Sequence, residues 1–202
     1  MMKKVVEAVA SHTQSFHPLK QVCAHLNAFH RFPAQNNRAI ETNHYCAHIH
    51  GTGVKQCLLY DSPDPDAKLL GIEIMITAEH FDRLPTEEKK YWHSHVYEVK
   101  SGQLALPNYS NLPEALWQAA QNKEMEETVN LYGKIFQYPE WDKEHGVPLG
   151  EPQLMMSFTD DNQVSKEVVE DRDKRFGVDT KKQKKDREYI KAPTIHPEAD
   201  QV

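Results

Sequence analysis

Tyr91-Trp92-His93-Ser94-His95-Val96-Tyr97-Glu98-Val99-Lys100-Ser101-Gly102, followed by Gln103-Leu104-Ala105-Leu106-Pro107, is the stretch on which the fold reading turns. Side chains alternate faces along an extended backbone, so a strand here points His93 and His95 the same way. Two imidazoles so placed form a pincer for a metal ion. Glu98 follows three residues after His95, on the opposite face of a strict strand, and joins the pair only through a bulge or bend. Gly102 is suited to ending the segment.

Working outward, His44-Tyr45-Cys46-Ala47-His48-Ile49-His50-Gly51 supplies a second pair. A spacing of four puts His44 and His48 on one face of either a helix or a strand, and in a strand Cys46 and His50 join them. Lys55 to Tyr60, a proline-containing turn from Asp61 to Asp66, and Leu69 to Ile76 read as a β-hairpin. Glu73 lies inside its second strand and, if enclosed, requires a cation or hydrogen-bond donors. Leu19 to Phe32 fits both periodicities, with the strand preferred. Arg31 to Asn43 reads as a loop.

Thr77 caps a short helix from Ala78 to Leu84, and Thr86 caps another from Glu87 to Tyr91. Asn108 to Asn111 reads as a turn. Pro113 opens a helix to about Gly133, with Leu116, Ala120, Val129 and Tyr132 on its buried side. Ile135 to Trp141 is read as extended, Gln153 to Thr159 as an interior strand, and Ser165 to Arg175 as a charged helix. The expected fold class is α+β: a single domain with a mostly antiparallel sheet flanked by helices, and a charged C-terminal helix and tail. Residues 1–16 form a helix and linker, 17–177 the α+β domain, and 178–202 a charged, partly disordered tail.

The chain has 202 residues, 39% of them hydrophobic, enough for one core without covalent staples. A net charge of −6 and a pI near 6.0 argue against a nucleic-acid partner. Cys23, Cys46 and Cys57 make an odd count without a C-x-x-C pair, which argues against a secreted disulfide scaffold and for a reducing, cytoplasmic setting. Cys46 reads as a small buried thiol. Lys3-Lys4 before Val5-Val6 mimics a signal peptide, but the apolar stretch is short and broken by Glu7, so it reads as a helix start. No apolar run approaches the roughly 18 residues of a membrane span, which confines any lipid contact to the periphery. Nucleophile-elbow, H-E-x-x-H and phosphate-loop motifs are absent.

Imidazole and carboxylate donors suit zinc, iron, manganese or nickel. The expected site is one divalent ion held by His44, His48, His93 and His95, with Glu98 or Glu73 as a further ligand. An alternative is a cupin-like metal-dependent enzyme acting on a small organic substrate, because His93-x-His95-x-x-Glu98-x-x-x-Gly102 is a compressed form of the first cupin motif. The sequence leaves open whether any reaction is catalysed.

Longer strings carry a resemblance. Leu19-Lys-Gln-Val-Cys-Ala-His-Leu-Asn-Ala-Phe-His30, His44-Tyr-Cys-Ala-His48, Gln56-Cys-Leu-Leu-Tyr-Asp-Ser62, Leu84 through Gly102 and Pro148-Leu-Gly-Glu-Pro-Gln-Leu-Met-Met-Ser-Phe158 resemble the oil body-associated protein family over about Phe16 to Phe176. That resemblance implies a domain of unknown function shared with plant, fungal and bacterial proteins, and association with lipid droplets or another lipid surface. Two departures stand out: Ile49-His50-Gly51 where relatives read Leu-Asn-acidic, and Gln137 where relatives carry a histidine.

Overall fold

The computed structural model describes residues 2–109, 113–141, 143 and 146–202. Its strands are β1 (Ala24–Phe32), β2 (Arg38–Ile49), β3 (Val54–Tyr60), β4 (Leu69–Thr77), β5 (His93–Ser94), β6 (Leu131–Gln137) and β7 (Gln153–Ser157). They form one antiparallel sheet in the order β4-β3-β2-β1-β7-β6-β5, and β4 also pairs with β6. That last pairing runs from Gly71↔Gln137 to Thr77↔Leu131 and closes six strands into a barrel. The expected mostly antiparallel sheet flanked by helices is therefore corrected to a closed antiparallel barrel with β5 as an extra strand. The closing strands are far apart in sequence, so no local periodicity announces their pairing.

Alternation then decides what fills the barrel. Phe32, Cys46, Cys57, Leu59, Met75, Ile135 and Met155 meet in one apolar cluster. Cys46 and Cys57 are directly opposite on β2 and β3 and form a disulfide, which corrects the reading of Cys46 as a free thiol. Cys23 is the free, exposed cysteine. β1 is covered on both sides. Leu26 and Ala28 pack with Val99 of α4 (Val96–Ser101) and Met125 and Val129 at the end of α5 (Glu114–Thr128). On its other face, Arg172 of α6 (Lys166–Phe176) stacks over Phe29 and donates to Asn27 Oδ1 at 2.8 Å.

Several local readings hold. β1 and the β3–β4 hairpin form as expected, and the side chain of Thr77 caps α2 (Ala78–Asp82); Ser165, read as the first residue of α6, instead caps it. Others change. β2 already begins at Arg38, inside the expected loop. Thr86 lies within α3 (Thr86–Lys89), with Pro85 at the cap position and no capping side chain. The helix expected to reach Gly133 stops at Thr128, and Leu131 to Gly133 begin β6. Its buried positions are Trp117, Gln121, Met125 and Thr128, whereas Leu116 is 61% exposed. The turn expected at Asn108 to Asn111 falls partly outside the described residues.

Residues 178–202, expected as a partly disordered tail, pack against the barrel. Arg187 follows α7 (Thr180–Asp186), is fully buried, and donates to the carbonyls of Leu104 (2.8 Å) and Val99 (3.2 Å). Asp200 accepts from Ser94 N at 2.9 Å and Ser94 Oγ at 2.8 Å, while its own N–H donates to Trp92 O at 3.0 Å. The Val202 carbonyl accepts from Arg31 at 2.6 Å. A polar composition thus hides a packed strap, in which Arg187 donates to buried backbone carbonyls and the Asp200 carboxylate accepts from Ser94.

Candidate metal centre

β4 turns Glu73 inward in the same phase as Met75, and β5 presents His93 opposite Gly133 of β6. The extended segment ends there. His95 has φ −89° and ψ 5° and starts α4, so Glu98 comes round one helical turn onto the side of His95. This is the bend that the sequence required, made by a helix instead of a bulge. From β1, His30 joins the same interior.

Oε1 of Glu73 lies 3.3 Å from Nε2 of both His93 and His95. Glu98 lies 3.8 Å from His95 Nε2 and 3.5 Å from His30 Nε2. Among the described residues, two triads have mutually converging donor atoms: Glu73, His93 and His95; and His30, His93 and Glu98. None of the five residues is more than 3% exposed. Among the described residues, both oxygens of Glu73 and of Glu98, and both ring nitrogens of His93, lack a hydrogen-bond partner. Leaving such groups unsatisfied in an interior costs about 1–3 kcal/mol each, more for charged ones.

Gly133 makes the space. A Cβ there would stand 2.3 Å from Glu73 Oε1 and 2.6 Å from His93 Nε2. Around the donors, neighbouring groups fix the rings. His95 Nδ1 donates to the Leu131 carbonyl at 2.9 Å, which leaves Nε2 facing the carboxylates. Thr42 Oγ1 lies 3.2 Å from His30 Nδ1 and 3.0 Å from His44 Nε2.

The same crowding shifts proton affinities. Burial pushes His95 down, but Glu73 and Glu98 outweigh it and raise its pKa to about 9. Burial alone would raise Glu98, yet His30, His95 and His93 bring it to about 2. Glu73 is held well below the usual carboxylate range: burial opposes this, and His93, His95 and His44 overcome it. For His44 burial wins, and its pKa falls to about 3.

Of the expected ligands, His93, His95, Glu98 and Glu73 come together. His44 is buried one hydrogen-bonded neighbour away, and its Nε2 is engaged by Thr42. His48 is exposed near the end of β2 and belongs to neither triad. His30 was missed; its signal was a histidine in the inward phase of Leu26, Ala28 and Phe32, read there as part of an ordinary strand.

Fold and site define the class: a closed antiparallel barrel with an imidazole–carboxylate cluster sealed in its interior. The profile of a family described as "Protein of unknown function (DUF1264)" matches residues 16–191. The chain is 38% identical over 198 residues to oil body-associated protein 1B of Arabidopsis thaliana, covering 97% of this chain and 79% of that protein. It is 34% identical to oil body-associated protein 1A of Zea mays, covering 97% and 80% of the two chains. Oil body-associated protein 2A of Zea mays is also 34% identical, with 96% and 75% covered. The chain belongs to the oil body-associated protein family. No solved structure matches it.

Proposed function

We propose that this protein holds one divalent metal ion inside its barrel, through Glu73, His93 and His95, with Glu98 and His30 completing the donor set. Separation of the donors carries the reading. Two ligands each about 2.0–2.1 Å from a tetrahedral ion stand about 3.3–3.4 Å apart, and Glu73 lies 3.3 Å from each of the two imidazoles. Direct charge-assisted hydrogen bonds would instead be about 2.7–2.9 Å long. The donor chemistry suits zinc, iron, manganese or nickel. When bound, the ion would neutralise two buried carboxylates and could act as a Lewis acid.

Metal analysis of protein purified without a histidine tag tests this. One equivalent is expected in the parent and loss of it in His93→Ala; a folded parent that takes up no divalent metal ends the proposal. The burial of all five donors does not favour a cupin-like reaction on a small organic substrate, which would need an open coordination position.

A second reading, association with a lipid-droplet surface, draws on the names of the relatives and on the barrel exterior. Strand register aligns Tyr45, Leu58, Ile72, Phe136 and Leu154 as one row across five strands. Ile72 is 49% and Phe136 39% exposed. Among the described residues no helix is long and apolar enough to cross a membrane, so the contact would be peripheral. Flotation with phospholipid-coated oil droplets tests it: the parent should float and Ile72→Glu/Phe136→Glu should not.

A further inference from the structure

We propose that Thr42 is a positioning residue that, relaying to His44, makes His30 a metal donor through Nε2. The proposal deepens the metal reading and rests on it.

The relay is a chain of three side chains, each no more than 1% exposed: His30, Thr42 and His44. β2 carries Thr42 and His44 two residues apart on one face, and the β1–β2 register places Thr42 diagonally beside His30. A threonine hydroxyl has a single proton, so its two imidazole contacts cannot both be donations. Two polarities are available. In one, Thr42 donates to His44 Nε2 and accepts from His30 Nδ1–H, and His30 presents a bare Nε2. In the other, Thr42 donates to His30 Nδ1, and the His30 proton sits on Nε2.

Glu98 distinguishes what each polarity is for. Its Oε1 lies 3.5 Å from His30 Nε2. A bare nitrogen facing a carboxylate oxygen at that distance sets two lone pairs against each other, which is stable only with a cation between them. A protonated Nε2 faces the carboxylate without one. Rotation of the Thr42 hydroxyl therefore separates a metal-holding arrangement from a metal-free one, and His44 is the acceptor that makes the first available. Outer partners of this kind fix the tautomer of metal-bound histidines in general. His44 thereby acts behind the ligands.

The test is cobalt(II) and zinc binding by the parent, Thr42→Val, Thr42→Ser and His44→Leu, with visible absorption of the cobalt forms. Valine keeps the shape of threonine and removes the relay. Thr42→Val should bind about 10–100-fold more weakly and show altered cobalt bands, His44→Leu should move the same way, and Thr42→Ser should restore parental affinity and spectrum. Nitrogen NMR of the zinc-loaded parent reads the tautomer directly and needs no variant: the His30 proton is expected on Nδ1. A folded Thr42→Val with parental affinity and bands, or a zinc-loaded His30 with bare Nδ1, overturns the relay and leaves the metal reading intact. A parent that binds neither ion overturns both.

Discussion

Two halves of one barrel interior obey the same alternation and hold opposite chemistry. On β4, Glu73 and Met75 are successive inward residues; on β2, His44 and Cys46 are. Met75 and Cys46 join the apolar cluster with Leu59 and Ile135, where burial itself stabilises. Glu73 and His44 lie among ionisable groups, where burial costs free energy unless partners offset it. Strand geometry chose the positions in both halves. In the polar half the carboxylates and imidazoles stand 3.3–3.8 Å apart, and among the described residues the oxygens of Glu73 and Glu98 have no hydrogen-bond partner.

The largest test of that contrast is Leu59→Ala. It should cost about 2–5 kcal/mol in denaturant melts and leave metal stoichiometry unchanged. Gly133→Ala should cost about 1–3 kcal/mol by overpacking and abolish metal uptake, since the methyl takes the space between Glu73 and His93. A Gly133→Ala protein with a full equivalent of metal would erase the distinction between the halves.

Acidity sharpens the contrast further. In chelated protein, His95 contributes stability that is complete below its unfolded pKa near 6.5 and lost as pH rises through about 9. His44 stays neutral in the fold, so stability falls as pH drops from about 6.5 towards 3, and Glu98 adds a loss from about 4.5 towards 2. Stability of the metal-free form should thus peak near pH 6.5. His95→Gln should flatten the alkaline limb, whereas Leu59→Ala should lower the whole curve without changing its shape. On the exterior, Ile72→Glu should change stability by less than about 0.5 kcal/mol; equilibrium melts and droplet flotation together separate a surface role from a structural one.

The sequence revealed elements whose signals are local. The β3–β4 hairpin, β7 and the Thr77 cap were legible because periodicity and turn residues lie within a few positions of each other. The start of β2 was not, since Thr42 and His44 put polar side chains in the inward phase and disguised the alternation. Val129 and Tyr132 continued a helical spacing past the true end of α5. His93, His95 and Glu98 were legible as candidate donors by residue type, while the approach of His30 to Glu98 and the contact of Thr42 with His30 depend on pairings that only the closed barrel creates. The Cys46–Cys57 bond is likewise a product of register.

The wall between β1 and its neighbours has a bearing on how the polypeptide reaches its final form. β1 pairs with β7 through only two residue pairs and with Ala105 through an isolated bridge, and its outer face waits for Arg172, 145 positions downstream of Asn27. Arg31 meets Val202 across 171 positions. Such distant contacts make folding slow, and during translation the first strand emerges long before the residues that complete its surroundings. A nascent chain stalled before residue 172 should therefore expose β1 to proteases and chaperones, and acquire protection once the residues that cover it have emerged.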